Sequence, residues 1–431
     1  MIQRQSAVTG SVNLHSIQTN KFKTGVIAFT VSMPSGKLHA PYSLILAKML
    51  ERATKSYPSR LALSRRVDDL YVSSTDIRRI GFDKNVILSF SAEILDEKYC
   101  KRGANVTKDV CALLKEYMLS PLLDEDGLFP KAAFEQEKRR SANALRAIIN
   151  SPASYASLRL SELLNRDNPD TLPLENAIEA VEKCDRETLT KFYIENVYCR
   201  PIDVYYVGTL SHEEIADKLS LVLGDYVATK KEALIPLGSI NEPRETVRKN
   251  ETMPLSQGRL GLGFRLGVRM TDEDYCAALL FDELFGGSPS SKLFVNVREK
   301  RSLCYSCGSR YSSTTGYITA SAGISPQNRE ITEEAILLEL ENVKAGKITK
   351  SEFEAAKKSL LNSIRETYDN PTDILEYYLY SNTANMSLTL DEYLARVSLL
   401  KKEDVIRVAS RAELDCIYFL CGEQQNEENE E

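Results

Sequence analysis

Residues 25–33 read Gly25-Val-Ile-Ala-Phe-Thr-Val-Ser-Met33, and residues 258–266 read Gly258-Arg-Leu-Gly-Leu-Gly-Phe-Arg-Leu266. Both stretches are strand-like apolar runs that open on glycine. Each passes through a short polar turn into a one-faced helix. In the first helix Tyr42, Ile45, Leu46, Met49, Leu50 and Ala53 share a face. In the second, Tyr275, Ala278, Leu279 and Leu284 do so, and Gly286-Gly287 ends it.

The later elements recur in the same order. Residues 86–94 and 317–324 both read as strands, with Ser91-Ala92 and Ser321-Ala322 in matching places. Amphipathic helices follow, carrying Val110, Leu113, Leu114, Tyr117 and Met118 in one half and Ile336, Leu337 and Leu340 in the other. Phe134-Glu-Gln-Glu-Lys-Arg and Phe353-Glu-Ala-Ala-Lys-Lys each open a long charged helix. Val204-Tyr-Tyr-Val-Gly208 and Ile417-Tyr-Phe-Leu-Cys-Gly422 close the two halves. A repeat of this kind predicts two homologous α+β domains, each a mostly antiparallel sheet with helices packed on one face. The expected boundaries are 1–227 for the first domain, 228–253 for a linker bearing Pro236 and Pro243, and 254–423 for the second. Residues 424–431 are expected to form an acidic disordered tail.

Composition narrows the function. With 55 basic and 61 acidic residues the net charge is −6, which argues against nucleic acid or an anionic membrane as partner. The apolar runs are strand-sized, and the start, Met-Ile-Gln-Arg-Gln-Ser, lacks a signal-type segment. Nine scattered cysteines are expected to be reduced, in a cytoplasmic protein. The one C-x-x-C, Cys304 and Cys307, has no second pair or histidines for zinc and reads as structural. No G-x-S-x-G and no phosphate loop occurs. Charge runs such as Lys138-Arg-Arg140 read as solvated helix faces. Only three histidines are present. His15 falls in a strand-like stretch, His39 in a solvated turn and His212 at a helix start.

The order of elements resembles the insulinase/pitrilysin metallopeptidases over essentially the whole chain, in their short two-domain form. The second half carries the most specific match. Leu284-Phe-Gly-Gly-Ser-Pro-Ser-Ser-Lys-Leu-Phe294, then Val297-Arg-Glu-Lys-Arg-Ser-Leu-Cys-Tyr305, is similar to the family's glycine turn and R-E-x-x-x-L-x-Y segment. Residues 21–32, Glu137-Lys-Arg and residues 155–163 look most like the non-catalytic member of a bacterial pair, of the YmfF-like, elongation-factor-P aminopentanol-modification-associated type.

The resemblance implies a zinc motif H-x-x-E-H on the first helix and a distal glutamate on the long charged helix. In such a motif two histidines on one face hold the metal and the glutamate activates its water. Here Leu44 and Lys48 stand at the histidine positions, Ala47 at the base and Ala144 at the distal ligand. None of these can coordinate zinc. The resemblance also implies that Arg298 and Tyr305 hold the substrate backbone and support the oxyanion in a peptidase chamber, roles suited to a guanidinium fork and a phenol. The alternative is a surface Arg298–Glu299 pair with Tyr305 in the core. The expected protein is thus a metal-free subunit of a heterodimeric zinc metalloendopeptidase. It would close the chamber and donate Arg298 and Tyr305, flanked by the turn Gly286 and Gly287, to a homologous partner that carries H-x-x-E-H and the zinc. The substrate would be a short unstructured peptide, with neither nucleic acid nor membrane involved. The competing expectation is a non-enzymatic structural or peptide-binding relative of the same fold. A third, an autonomous zinc peptidase, requires stoichiometric zinc in the isolated protein.

Overall fold

The computed structural model describes residues 3–101, 104–230, 234–237 and 245–422. In chain order its strands are β1 (Gln3–Thr9), β2 (Val12–Gln18), β3 (Thr24–Pro34), β4 (Val72–Phe82), β5 (Asn85–Leu95), β6 (Ile202–Gly208), β7 (Val247–Met253), β8 (Gly258–Arg265), β9 (Cys304–Ser312), β10 (Tyr317–Ile324) and β11 (Glu413–Gly422). Its helices are α1 (His39–Arg52), α2 (Arg60–Asp69), α3 (Val106–Leu119), α4 (Lys131–Arg146), α5 (Pro152–Leu164), α6 (Leu174–Lys183), α7 (Arg186–Tyr193), α8 (His212–Leu223), α9 (Tyr275–Asp282), α10 (Arg329–Lys344), α11 (Lys350–Thr367), α12 (Pro371–Thr383), α13 (Leu390–Leu399) and α14 (Lys402–Ala409).

The chain divides into two compact units, and the duplication is visible in their sheets. The first sheet runs β1-β2-β6-β3-β5-β4 and the second β7-β11-β8-β10-β9. The second order reproduces β2-β6-β3-β5-β4, down to one parallel pair in each sheet: β2 with β6, and β7 with β11. The other pairings are antiparallel. Both units are therefore α+β with mostly antiparallel sheets, as the repeat predicts.

In the first unit, Ile27, Phe29, Val31 and Met33 of β3 alternate onto one face. They pack in one core with Ile45, Leu46, Met49 and Leu50 of α1 and Val110 and Leu114 of α3. In the second unit Leu260, Leu262 and Phe264 do the same, and Phe264 meets Phe285 edge-on at 6.4 Å between ring centroids.

Each sheet also receives one helix on its opposite face, and that helix comes from the other half of the sequence. The first unit comprises residues 1–146, 172–236 and 367–383, and the second the remainder. These groupings differ from the linear boundaries 1–227 and 254–423. The helix α12 lies on the first sheet: Asn382 Nδ2 reaches His15 Nδ1 at 3.1 Å, His15 stacks on Tyr205 at 4.6 Å, Tyr380 stacks on Phe82, and Glu376 pairs with Arg78. The helix α5 lies on the second sheet, and glycine makes its close approach possible. A Cβ on Gly261 would sit 3.0 Å from Leu160 Cδ2, and one on Gly263 would sit 2.8 Å from Leu164 Cδ2. The Glu251 carboxylate clamps this helix, accepting from Tyr155 Oη (2.8 Å), Arg159 Nη2 (2.8 Å) and Tyr418 Oη (2.9 Å).

The expected linker is partly structured. Residues 247–253 form β7, whose alternating exposed and half-buried residues carry no apolar signal. Ile235 is tied to the β4–β5 turn by Asn85, which donates to its carbonyl (2.7 Å) and accepts from its N–H (2.9 Å). Pro243 and the expected tail, 424–431, lie outside the described residues.

Candidate functional site

The first region of interest is α1. Its start is set by His39, whose Nδ1 donates to the Pro34 carbonyl at 2.8 Å while its ring meets Phe192 edge-on at 5.3 Å. This half-buried histidine is a helix-start anchor, which corrects its reading as a solvated turn residue. Leu44 is exposed, Ala47 is buried, and Lys48 Nζ is engaged by Glu51 at 3.0 Å. On α4, Ala144 is exposed and Glu137, seven residues earlier, is only 1% exposed. The Glu137 carboxylate binds Arg52 of α1 at 2.7 Å and Arg140 of its own helix at 3.0 Å. Glu137, just ahead of the largely exposed run Lys138-Arg-Arg140, thus ties α4 to α1.

This donor set does not fit zinc. Leucine and alanine offer no lone pair, the Lys48 ammonium repels a dication, and the nearby carboxylate is already neutralised by two arginines. Among the described residues, no group of three or more His, Cys, Asp or Glu side chains is placed to hold a metal ion. His15 is buried between Tyr205 and Asn382, and His212 is held by Ser6 and Ser16, each at 2.7 Å.

The second region is the segment that follows α9. The helix runs into a wide π-type turn, residues 283–287, ending at Gly286-Gly287. Glycine is required at the first of these: a Cβ there would lie 2.3 Å from the Ser309 backbone nitrogen of β9. Asp282 fixes the same contact, accepting from Ser309 Oγ and from the Tyr311 N–H at 3.0 Å. Burial pushes its carboxyl above the usual carboxylate range, against those two hydrogen bonds. A second π-type stretch, Leu293–Glu299, carries Arg298. Such widened turns are frequent at functional sites.

The structure brings Arg298 and Tyr305 together. Both line one open pocket of about 420 Å³, with Glu299, Ser302, Cys304 and Ser325 also on its wall. The Arg298 guanidinium stacks on Phe294 at 4.5 Å and keeps only a long 3.6 Å contact with Glu299. Its side chain is 37% exposed. Tyr305 is 66% exposed, so it is not a core residue. Its hydroxyl has one distant neighbour, Ser325 Oγ at 3.5 Å. The cause is a β-bulge. Ser306 pairs with Gly323 and Cys304 with Ile324, leaving Tyr305 as the extra residue, and a bulge re-aims the side chain it inserts. Ser302, just before the strand, adopts a left-handed φ of +52°. Chemically, this pocket offers a planar cationic fork and an exposed phenol to a carbonyl oxygen or carboxylate. Motif reading found Arg298, Tyr305 and the glycine pair. It missed Ser325 and the proximity of Cys304, which depend on strand pairing.

The comparisons with known proteins agree with this geometry. A family model described as the peptidase M16 inactive domain matches residues 183–360. Over 416 residues the chain is 29% identical to the "Probable inactive metalloprotease YmfF" of Bacillus subtilis (strain 168), covering 96% of each protein. It is 24% identical over 276 residues to the mitochondrial-processing peptidase subunit beta of Saccharomyces cerevisiae, covering 58% of each. Among solved structures, a conserved protein of Enterococcus faecalis V583 superposes with a TM-score of 0.89 at 27% identity, covering 99% of this chain and 100% of that one. A peptidase M16 inactive domain from Pseudomonas fluorescens has the same fold, with a TM-score of 0.80 at 16% identity and coverage of 98% and 99%. The resemblance to the insulinase/pitrilysin peptidases is thereby borne out. Among the described residues, no helix is long and apolar enough to cross a membrane.

Proposed function

We propose, from the premise that this chain is a non-catalytic homologue of the M16 (insulinase/pitrilysin) peptidases, that it serves as the metal-free subunit of a two-chain zinc endopeptidase. The partner would be a homologous chain carrying H-x-x-E-H and the zinc. This chain would complete the chamber and present Arg298 and Tyr305 to a short unstructured peptide. The observation that carries the reading is an asymmetry: the four metal positions are occupied by Leu44, Ala47, Lys48 and Ala144, while the Arg298–Tyr305 pocket is intact and open. A guanidinium and a phenol aimed at developing negative charge are worth most when water is excluded, which a closed two-chain chamber supplies.

The test is reconstitution. The chain is co-expressed with an H-x-x-E-H homologue from the same genome and assayed on unstructured peptides. Cleavage requires both chains, zinc copurifies at one ion per pair, and Arg298→Ala lowers kcat/KM by roughly 10–100-fold. Tyr305→Phe gives a smaller loss of the same sign. Cleavage that needs neither this chain nor Arg298 overturns the reading. Recovery in a multi-subunit assembly lacking an H-x-x-E-H chain favours the structural relative instead.

A further inference from the structure

We propose that Cys304 and Cys307 form a peroxide-sensitive dithiol, and that closing it to an intramolecular disulfide reshapes the Arg298–Tyr305 pocket. In a regular strand, residues three apart project to opposite faces, and no disulfide can join them. The bulge at Tyr305 removes that bar. Cys307 pairs with Ala322 and Cys304 with Ile324, two residues along β10, so the two thiols emerge on one face. The bulge therefore makes them successive residues of that face, with Tyr305 and Ser306 between them in the chain. Cys304 is also part of the pocket wall, within reach of a small solute, and Arg298 lines the same pocket.

The two sulfurs are suited to different steps. The hydrogen bond from Cys307 holds the Cys304 thiol below the ordinary thiol range; burial opposes this and the Arg298 charge assists it. Cys307 is pushed up by that same hydrogen bond and by burial. Elsewhere, burial pushes Cys111 and Cys416 up to about 12. Cys304 ionises, and its thiolate attacks one oxygen of hydrogen peroxide: an S–O bond forms, the O–O bond breaks, and the departing hydroxide takes up the proton that Cys304 released, leaving Cys304 sulfenic acid and one water. The Cys307 sulfur then displaces the sulfenic hydroxyl. An S–S bond forms, the S–O bond breaks, and the Cys307 proton leaves with the hydroxyl as a second water. Two thiols have lost two electrons and peroxide has gained them.

Bridging draws the Cys304 and Cys307 sulfurs together to a covalent bond of about 2 Å. The slack lies at the bulge, so the movement falls on Tyr305, which sits between them. The thiol chemistry stands on this chain alone. Its consequence for peptide handling rests on the role proposed above for Arg298 and Tyr305.

The experiment treats the isolated full chain with hydrogen peroxide, alkylates the remaining thiols and maps them by peptide mass spectrometry. The expected result is one Cys304–Cys307 bridge, formed about tenfold faster than Cys111 or Cys416 is modified and reversed by dithiothreitol. Hydrogen exchange is expected to speed up in the β9 peptide on oxidation. Cys307→Ser should stop at a sulfenic acid on Cys304 that dimedone traps. Failure to find the bridge while other cysteines oxidise at equal rates overturns the inference, and this wild-type measurement decides even if a variant misfolds. That failure leaves the reconstitution result untouched. Conversely, a chain that forms the bridge yet supports no peptidase when reduced sinks the proposed function and not the dithiol.

Discussion

The two units are built on one plan, and their edge strands show where the plan diverges. β4 and β9 close corresponding edges. Each is preceded by a left-handed residue, Tyr71 at φ +54° and Ser302 at φ +52°. Each is bulged near its start, since Val72 and Ser74 pair with the consecutive residues Ile94 and Glu93, leaving Ser73 as the extra residue. Ser73 in the first unit thus corresponds to Tyr305 in the second. Ser73 turns its hydroxyl back onto the Glu93 carbonyl at 3.1 Å. Tyr305 points outward beside an arginine. The backbone device is common to both copies, and only one carries a side chain able to engage a ligand. A bulge is therefore architecture, and the residue placed on it decides what it can do.

Breaking this correspondence at its tightest point gives the largest expected effect. Gly286 lies against β9 with no room for a Cβ, and the obstacle is backbone. Gly286→Ala should cost about 3 kcal/mol of stability, read as a lowered urea midpoint at constant m. If the midpoint is unchanged, the packing of the turn on β9 is wrong.

The next effect separates the long charged helices. Glu137 on α4 corresponds in the repeat to Ala356 on α11, and both positions are buried. One copy fills the place with an ion pair to Arg52, the other with a methyl group. Arg52→Ala leaves a buried carboxylate with only Arg140 and should cost about 2 kcal/mol. Replacing both partners, Arg52→Leu with Glu137→Ala, should recover most of that loss. A double variant as unstable as the single one would show that the first unit cannot accept the apolar solution of the second.

How far the sequence reveals this follows from the range of each interaction. Strand alternation and helix faces are local, so the repeat and its order of elements were readable, as were the non-coordinating side chains at Leu44, Ala47, Lys48 and Ala144 and the placement of Arg298 and Tyr305 in one short segment. The reciprocal placement of α5 and α12 was not. It depends on Gly261 and Gly263 meeting Leu160 and Leu164 about a hundred residues away, and nothing in either segment names the other. β7 escaped because Val247-Arg-Lys-Asn-Glu-Thr-Met253 has no apolar period; its place is fixed by parallel pairing to β11. Glu137 sits in a run of charged residues, and its burial follows only from tertiary packing against α1.

The clamp on α5 should respond to acid. Glu251, which holds α5, lies in a half-buried site; burial alone would raise its pKa, yet donation from Arg159, Lys249, Tyr155 and Tyr418 lowers it from 4.5 to about 2. The folded value is below the unfolded one, so the clamp stabilises fully above about pH 4.5 and its contribution is lost as pH falls towards 2. After solvent screening this is roughly 1–2 kcal/mol. Between those pH values, hydrogen exchange should rise in the α5 peptide, and Glu251→Gln should flatten the response. An undiminished rise in the α5 peptide of the Glu251→Gln variant would place the acid-sensitive group elsewhere.

The smallest effect returns to the edge strands. A non-glycine residue in the left-handed region costs about 1 kcal/mol relative to glycine. Ser302→Gly and Tyr71→Gly should each recover some of that strain, offset by the greater freedom glycine gives the unfolded chain. The net should be a gain of about 0.5 kcal/mol for Ser302→Gly, whose side chain is exposed. Tyr71→Gly should gain less, because the substitution also discards whatever its ring contributes by packing. Thermal unfolding of the two variants compares the same backbone strain in two copies of one fold. If Ser302→Gly destabilises instead, its hydroxyl has a role on the wall of the Arg298–Tyr305 pocket that its counterpart beside β4 does not share.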